Sequence, residues 1–400
     1  MGIANIKEAY DRIKPYIKYL PLYYSNNFSE PYNANIYFKM ENLQRTGSFK
    51  LRGSLNAILK NQEKCKNGVI TASAGNHAQG VAFGCNLLSI PAVIVMPVIT
   101  PLVKVENTKR YGAEVILYGK SYDDAYMKAI SIARQRELFF IHPFNDEDVI
   151  DGQATIAYEI LKEKEDIDLI VVPIGGGGLI SGISKFVKAV NPNIKIIGVQ
   201  AENAASMYNA IKKGNIVKLT SSNTIAEGIA VKEAGDHTFE YCKKYVDDII
   251  LVSENEIAYA ILQYIEKSKL VVEGAGAAPL ATILSNKLTV AGKNVVLILS
   301  GGNIDVNLLT RVFYKGLATT GRFLELTVIL KDIPGSLADI TKEVADLGAN
   351  VLDIRHFRYD VNLPVGSTKV IFHLETKGTT HIEEIVNTLI EKGYDISIYG

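Results

Sequence analysis

The sequence predicts a doubly wound α/β body followed by a small ferredoxin-like unit, and three observations carry that expectation. Between about Ile36 and Ser300, nine short runs rich in β-branched and other apolar residues alternate with helical patterns. The runs are apolar almost throughout, as strands covered on both faces must be, and the intervals are long enough for crossover helices. From residue 323 onward the order of patterns changes to β-α-β-β-α-β.

In chain order, MGIANIKEAYDRIKPYI reads as an amphipathic helix interrupted at Pro15, without the apolar centre and small-residue cleavage site of a secretory leader. Strands are then expected at IYFKM, VITAS, AVIVMP, EVILY, LFFIHP, DLIVVPI, IKIIGVQ, DIILVS and NVVLILS. YKGLATTGR, residues 314–322, reads as a linker. The second unit spans strand FLELTVIL, turn KDIPG, helix SLADITKEVADLG, strands NVLDIRHFRYD and STKVIFHLET, helix HIEEIVNTLIEKG and strand YDISIYG.

At 400 residues the chain is too long for one core of ordinary size. Forty-three basic residues balance 43 acidic ones, which leaves no electrostatic footprint for nucleic acid or an anionic membrane. No stretch offers the roughly 18 uncharged apolar residues of a membrane span. Cys65, Cys85 and Cys242 are odd in number and widely spaced, fitting neither a disulfide framework nor zinc spacing; they read as buried thiols of a cytoplasmic protein. The expected partner is a small molecule.

In doubly wound sheets ligands sit beyond the carboxyl ends of the strands, so chemistry is sought there. Four segments stand out. In RTGSFKLRGS, Lys50 falls in the first turn of a helix whose apolar stripe is Leu51, Leu55, Ile58 and Leu59, with Thr46 or Ser48 as N-cap. The helix dipole and the like charge of Arg52 both favour the neutral amine needed for a Schiff base or a proton transfer. Taken alone, Lys50 reads first as a solvated surface lysine. SAGNHAQG, Ser73 to Gly80, opens a helix with small residues that let backbone N–H groups approach a carboxylate; a capped turn fits equally well. GGGGLISG, Gly175 to Gly182, offers a nest of N–H groups for a phosphate, without the endings of a nucleotide P-loop, although a tight strand-to-helix turn also uses glycine. In SGGN, Ser300 places a hydroxyl where a ring nitrogen could meet it, or else caps a turn. Amine, carboxylate cradle, phosphate cradle and hydroxyl together suit pyridoxal 5′-phosphate.

These segments resemble the fold-type II pyridoxal-phosphate enzymes and, among them, the threonine dehydratases, also called threonine ammonia-lyases. ENLQRTGSFKLRGS, SAGNHAQG, GGGGL and LSGGNIDVNLL occur in the family's order, and the C-terminal unit resembles an ACT regulatory domain. The resemblance implies a tryptophan-synthase-β-like catalytic domain over 1–313, its smaller subdomain at about 45–150 inserted in the larger, a linker at 314–322 and an ACT domain at 323–400. It implies that Lys50 carries the cofactor as a Schiff base, that Phe49 lies against the pyridine ring and that Asn76 bonds the phenolic oxygen. Gly175, Gly176, Gly177, Gly178 and Leu179 would hold the phosphate, Ser300 would face the pyridine nitrogen, and Ser73, Ala74, Gly75, Asn76 and His77 would bind substrate.

The implied reaction is loss of water from L-threonine, and from L-serine, giving a 2-oxo acid and ammonia at the start of isoleucine biosynthesis. Related alternatives are a serine racemase, a cysteine synthase and a catalytically silent amino-acid sensor. Racemases of this family carry a serine where Ala74 stands, and alanine cannot carry a proton; cysteine synthases read more like TSGNTG in this loop. Glu202 matches a cation-binding position of some relatives but reads here as a solvated carboxylate, so no metal is expected. Glu227 stands where relatives often have Asp, without evident consequence. In the ACT-like unit, N–H groups of Gly335, Ser336 and Leu337 with Asn350 are implied to bind isoleucine or valine, in a homodimer or homotetramer.

Overall fold

The computed structural model describes residues 3–359 and 363–399 and divides into two compact units, Met1–Asp305 and Val306–Gly400. In the first unit the strands are β1 (Tyr23–Tyr24), β2 (Asn35–Lys39), β3 (Val69–Ala72), β4 (Ala92–Met96), β5 (Glu114–Leu117), β6 (Phe139–Phe140), β7 (Leu169–Pro173), β8 (Lys195–Ala201), β9 (Asp248–Val252) and β10 (Asn294–Ile298). All the expected runs form strands. LFFIHP contributes only two strand residues, because His142 and Pro143 already belong to the loop beyond it. β1 has no expected counterpart: two exposed tyrosines are too short for an alternation to register.

The strands make two sheets, β1-β2-β10-β7-β8-β9 and β5-β4-β3-β6, parallel throughout except for the β1–β2 pair. Helices cover both faces of the smaller sheet. Ile70, Ala72, Val93 and Val95 pack on Ala125, Ala129 and Ile132 of the helix Tyr122–Gln135. The alternate residues Val69, Ile94 and Met96 pack with Ala78, Val81 and Ala82 of the helix Asn76–Leu87. Apolar side chains are thus needed at consecutive positions, which is why these strands carry continuous apolar runs.

Strand order also tells where a ligand belongs. From β3 the chain steps outward to β4 and β5 and returns on the opposite side of β3 as β6; from β7 it steps to β8 and β9 and returns beside β7 as β10. Each sheet therefore has a switch point, where loops diverge and leave a crevice. SAGNH and HPF follow β3 and β6, whereas GGGG and SGGN follow β7 and β10.

Beneath the lysine segment lies a dry ionic cluster. Arg52 donates from Nε and Nη2 to the two carboxylate oxygens of Glu41 (2.9 and 2.8 Å), and from Nη1 and Nη2 to those of Glu159 (2.9 and 2.8 Å). Lys39 Nζ lies 2.7 Å from Glu159 and donates to the Leu20 carbonyl at 2.5 Å. None of these four charged side chains is more than 1% exposed. Glu159 sits on the helix Glu147–Glu163, so the cluster ties that helix to β2 and to the helix Lys50–Lys60.

The second unit begins with the helix Val306–Thr319 and continues through β11 (Phe323–Lys331), the helix Ser336–Asp346, β12 (Asn350–Phe357), β13 (Ser367–Glu375), the helix Thr379–Glu391 and β14 (Asp395–Tyr399). Its antiparallel sheet has the order β12-β13-β11-β14, the ferredoxin-like arrangement. Leu324, Leu326, Val328, Val370, Phe372 and Leu374 cover one face against Ile340, Val344, Ile385 and Leu389 of the two helices. The expected linker is corrected: 314–319 is helical, and the division between units falls at 305/306, since VNLLTRVFYKGLAT carries a helical apolar period. Asp360 and Gly400 of the expected strands lie outside the described residues, as do Met1 and Gly2. Among the described residues no helix is long and apolar enough to cross a membrane.

Candidate active site

Lys50 is the first residue of the helix Lys50–Lys60. Neither Thr46 nor Ser48 caps it: no side chain does, and both hydroxyls are buried without a hydrogen-bond partner. The loop is held instead by the segment after β10. Phe49 N donates to the Ser300 carbonyl (3.0 Å), and Ser48 pairs with Gly301 in an isolated antiparallel bridge. Lys50 Nζ donates to the Pro143 carbonyl at 2.7 Å and lies 5.3 Å from the centre of the Phe49 ring. Burial lowers the amine's pKa to about 8, against the opposing pull of Glu273. Arg52 is not the cause, since Glu41 and Glu159 already neutralise it. Of the two causes expected from the sequence, the like charge of Arg52 is thus replaced by burial.

Ser73, Ala74 and Gly75 form the turn between β3 and the helix Asn76–Leu87. Ser73 Oγ accepts from Gly75 N (3.2 Å), a local turn bond, and a Cβ on Gly75 would meet nothing within 4 Å. Ala74 packs against the core of the smaller sheet. The side chain of His77 is not in an open pocket. Its Nε2 faces the Ile141 carbonyl (3.3 Å) and its Nδ1 faces Ser54 Oγ (3.5 Å), an assignment that makes Nε2 the donor. Burial, then the neighbouring Lys50, holds its pKa well below the usual histidine range. What His77 can offer a ligand is its backbone at the helix start.

The glycine loop adjoins the lysine through residues the sequence reading missed. A Cβ on Gly176 would sit 2.4 Å from the Phe144 ring, and one on Gly178 would sit 2.9 Å from Phe144 Cα. Gly177 has φ +96°, and Thr238 Oγ1 donates to the Gly176 carbonyl (2.6 Å). Glycine is thus demanded by close packing and by left-handed backbone, and Leu179 follows, buried, in the helix Gly178–Val190. Among the described residues, the N–H groups of Gly175, Gly176 and Gly177 donate to no backbone acceptor. Pro143 and Phe144 were within reach of sequence reading, because they stand at and just after the end of the expected run LFFIHP.

Ser300 is buried just beyond β10. Three residues on, a polar chain crosses the crevice. Asn303 Nδ2 donates to the Thr46 carbonyl and to Asn76 Oδ1, both at 2.8 Å, and Asn76 Nδ2 donates to Glu273 Oε1, also at 2.8 Å. Burial raises the Glu273 carboxyl to about 7, with the Asn76 hydrogen bond working against it. Glu273 lies at the start of the helix Gly274–Leu284 and follows no strand, so the search of strand ends passes over it. A cavity of about 310 Å³, lined by Arg45, Thr46, Gln79, Arg110 and Asn303 among others, opens beside this chain.

Glu202 pairs with Lys287 (3.3 Å), which also holds Glu256 (2.8 Å). Among the described residues no group of three or more His, Cys, Asp and Glu side chains is arranged to hold a metal. Glu227 has a definite partner after all: it pairs with Lys104 of the helix Leu102–Lys109, which connects β4 to β5. In the second unit, Gly335 has φ +100° and precedes the helix that Ser336 and Leu337 begin, and the Asn350 amide donates to Glu375 Oε2 (3.1 Å).

Residues 13–301 match the family described as pyridoxal-phosphate dependent enzyme. The chain belongs to this pyridoxal-phosphate-dependent enzyme family. It is 48% identical to an L-threonine ammonia-lyase of Thermotoga maritima, covering 100% of this chain and 99% of that one. The structure of a processed threonine deaminase isoform 2 from Solanum lycopersicum superposes with a TM-score of 0.73 at 38% identity, over 78% of this chain and 86% of that one. Maize serine racemase superposes with a TM-score of 0.74 at 36% identity, over 80% and 98%. The residues present fit the family's cofactor. Glycines that packing forbids to carry a Cβ have N–H groups without a backbone acceptor, which suit a phosphate, and an amine of lowered pKa suits an aldehyde.

Proposed function

We propose that the protein deaminates L-threonine, and L-serine as a second substrate, to 2-oxobutanoate or pyruvate and ammonia. The observation that carries this is the Lys50 amine, lowered in pKa by burial and hydrogen-bonded to the Pro143 carbonyl, in a segment whose Phe49 N–H donates to the Ser300 carbonyl, with Phe144, next to Pro143, packed on the glycine loop. Lys50, Phe49, Asn76, the Gly175 to Gly178 loop with Leu179, and Ser300 would hold pyridoxal 5′-phosphate. When bound, that cofactor supplies an aldehyde for the substrate amine and an electron-accepting ring that makes the α-hydrogen acidic.

The chain's own residues do the rest. Backbone N–H groups of Ala74, Asn76 and His77, at the positive end of the helix Asn76–Leu87, bind the substrate carboxylate, while the Ser73 N–H stays on the Val95 carbonyl and Ser73 Oγ and Gly75 complete the turn. Lys50 Nζ, neutral in a substantial fraction near neutral pH, takes the α-proton. The β-hydroxyl leaves as water, and the proton it takes up balances the α-proton that Lys50 has removed, so the elimination neither gains nor loses a proton overall. The released enamine then adds water and loses ammonia, so the net conversion is threonine to 2-oxobutanoate and ammonia. Ser300 brings a neutral hydroxyl to the ring nitrogen, which favours elimination over amino-group transfer. Ala74 offers no proton to the other face of the α-carbon, so racemisation is weak at best.

The second unit is read as an ACT-type site for isoleucine or valine. The N–H groups of Gly335, Ser336 and Leu337 meet the effector carboxylate, and Asn350 lies at the start of β12, in a homodimer or homotetramer. The primary test is Lys50→Ala, with 2-oxo acid formation assayed from L-threonine, L-serine and O-acetylserine, and D-serine measured in parallel. Loss of both turnover and the cofactor's visible absorbance is expected, and retention of both would overturn the assignment. Isoleucine titrated into the full chain should lower activity, and Asn350→Ala should weaken that response. A flat titration removes the regulatory reading.

A further inference from the structure

We propose that Glu273 is a positioning residue that fixes the side-chain amide of Asn76 in one of its two flipped orientations, so that a free N–H of Asn76 points into the cofactor crevice. This rests on the reading that Asn76 meets the cofactor's phenolic oxygen.

The sense of the polar chain follows from its first member. The Thr46 carbonyl can only accept, so the Asn303 atom 2.8 Å from it is Nδ2. The same Nδ2 reaches Asn76 at 2.8 Å, so both of its hydrogens are committed and the Asn76 atom facing it must be Oδ1. Asn76 Nδ2 is then turned to Glu273 Oε1, a buried acceptor, at 2.8 Å. One hydrogen of Asn76 Nδ2 bonds Glu273 and the other remains for a ligand. Without an acceptor at position 273, Asn76 would keep one anchor instead of two.

Two motif glycines make room for the chain. A Cβ on Gly47 would lie 2.4 Å from Asn303 Oδ1, and Gly47 has φ +72°. A Cβ on Gly301 would lie 2.4 Å from Glu273 Oε1 and 3.2 Å from Asn76 Nδ2. Gly47 belongs to the lysine segment and Gly301 to the serine segment, so both segments are shaped around this relay as well as around the cofactor. A phenolate oxygen needs a donor, and a flipped Asn76 would offer it a carbonyl and repel it.

The test compares Glu273→Gln, which keeps an acceptor, with Glu273→Met, which keeps length and loses it. Pyridoxal 5′-phosphate is titrated into cofactor-free protein, and the readouts are its dissociation constant and the position of its visible absorbance. Glu273→Gln is expected to bind within about threefold of the unaltered protein, whereas Glu273→Met weakens binding at least about tenfold and shifts the band. Should Glu273→Met fail to fold, Asn303→Asp breaks the chain at its other end, because a carboxylate cannot donate to Thr46 or Asn76, and it is expected to shift the band in the same direction. Equal impairment of the Gln and Met variants would mean that Glu273 acts through its charge or its proton, and normal binding by the Met variant would mean that it acts on nothing here. Either result overturns the proposal. If the unaltered protein gives no visible band, the cofactor reading itself fails, a different outcome from a normal band that the Met variant shares.

Discussion

The protonation of Lys50 can be measured apart from turnover. With a pKa of about 8, the cofactor-free amine is roughly one-quarter neutral at pH 7.5, against about one part in a thousand for a lysine at its ordinary 10.5. That is an enrichment of roughly 200-fold in the reactive form. The assay is pulsed reductive methylation of cofactor-free protein between pH 6 and 11, with labelling at Lys50 read by peptide mass spectrometry and a lysine amide as external standard. Partial burial slows the plateau rate without moving the midpoint, so the midpoint is the quantity to compare. We expect it near pH 8. Glu273 favours the charged amine, so Glu273→Gln should move the midpoint lower still. A midpoint near 10, or an upward shift in Glu273→Gln, would refute the claim that burial sets the charge of this lysine.

Arg52→Met strands Glu41 and Glu159 in the core without their shared cation, and a loss of about 3–5 kcal/mol in urea denaturation is expected; a loss below about 1 kcal/mol would show that the cluster is not dry. Burial opposes ionisation of Glu159, but Arg52 and then Lys39 prevail and hold its carboxyl below the usual 4.5. Its contribution is therefore present above about pH 4.5 and lost as pH falls through the lower folded value, which acid-unfolding curves of Glu159→Gln should show as a flattened acid limb. Glu273 behaves oppositely, since its folded carboxyl stands at about 7, above the unfolded value. The unpaired charge costs stability above pH 7 and the cost disappears as pH falls towards 4.5, so Glu273→Gln should raise the melting temperature more at pH 8 than at pH 5. Gly176→Ala drives a methyl into the Phe144 ring, and cofactor affinity should fall at least about tenfold by absorbance titration, while unchanged affinity would detach that loop from the phosphate.

The strands were legible because burial on both faces forces unbroken apolar runs, a signal strong even over five residues such as Leu169–Pro173. β1 and the start of the second unit were not. Two exposed tyrosines carry no period, and YKGLATTGR looks like a linker until the apolar residues before it are counted with it. In the candidate site, Lys50 and the glycine loop could be singled out because strand-end loops are where ligands sit. Glu273 and Asn303 could not be ranked, since a buried glutamate at a helix start and an asparagine after two glycines look like ordinary caps.

Residue chemistry and chain order were enough to predict a doubly wound body, a ferredoxin-like unit, a nucleophilic amine and a phosphate cradle, because each depends on local pattern or on residue type at a strand end. Environment was beyond them. Whether Arg52 repels Lys50 or is silenced by two carboxylates, whether His77 faces a ligand or the Ile141 carbonyl, and which way the Asn76 amide points all depend on groups far apart in the chain. Only packing brings Glu159 to Arg52 and Glu273 to Asn76, and in a buried crevice those neighbours set the charge and the hydrogen-bonding sense.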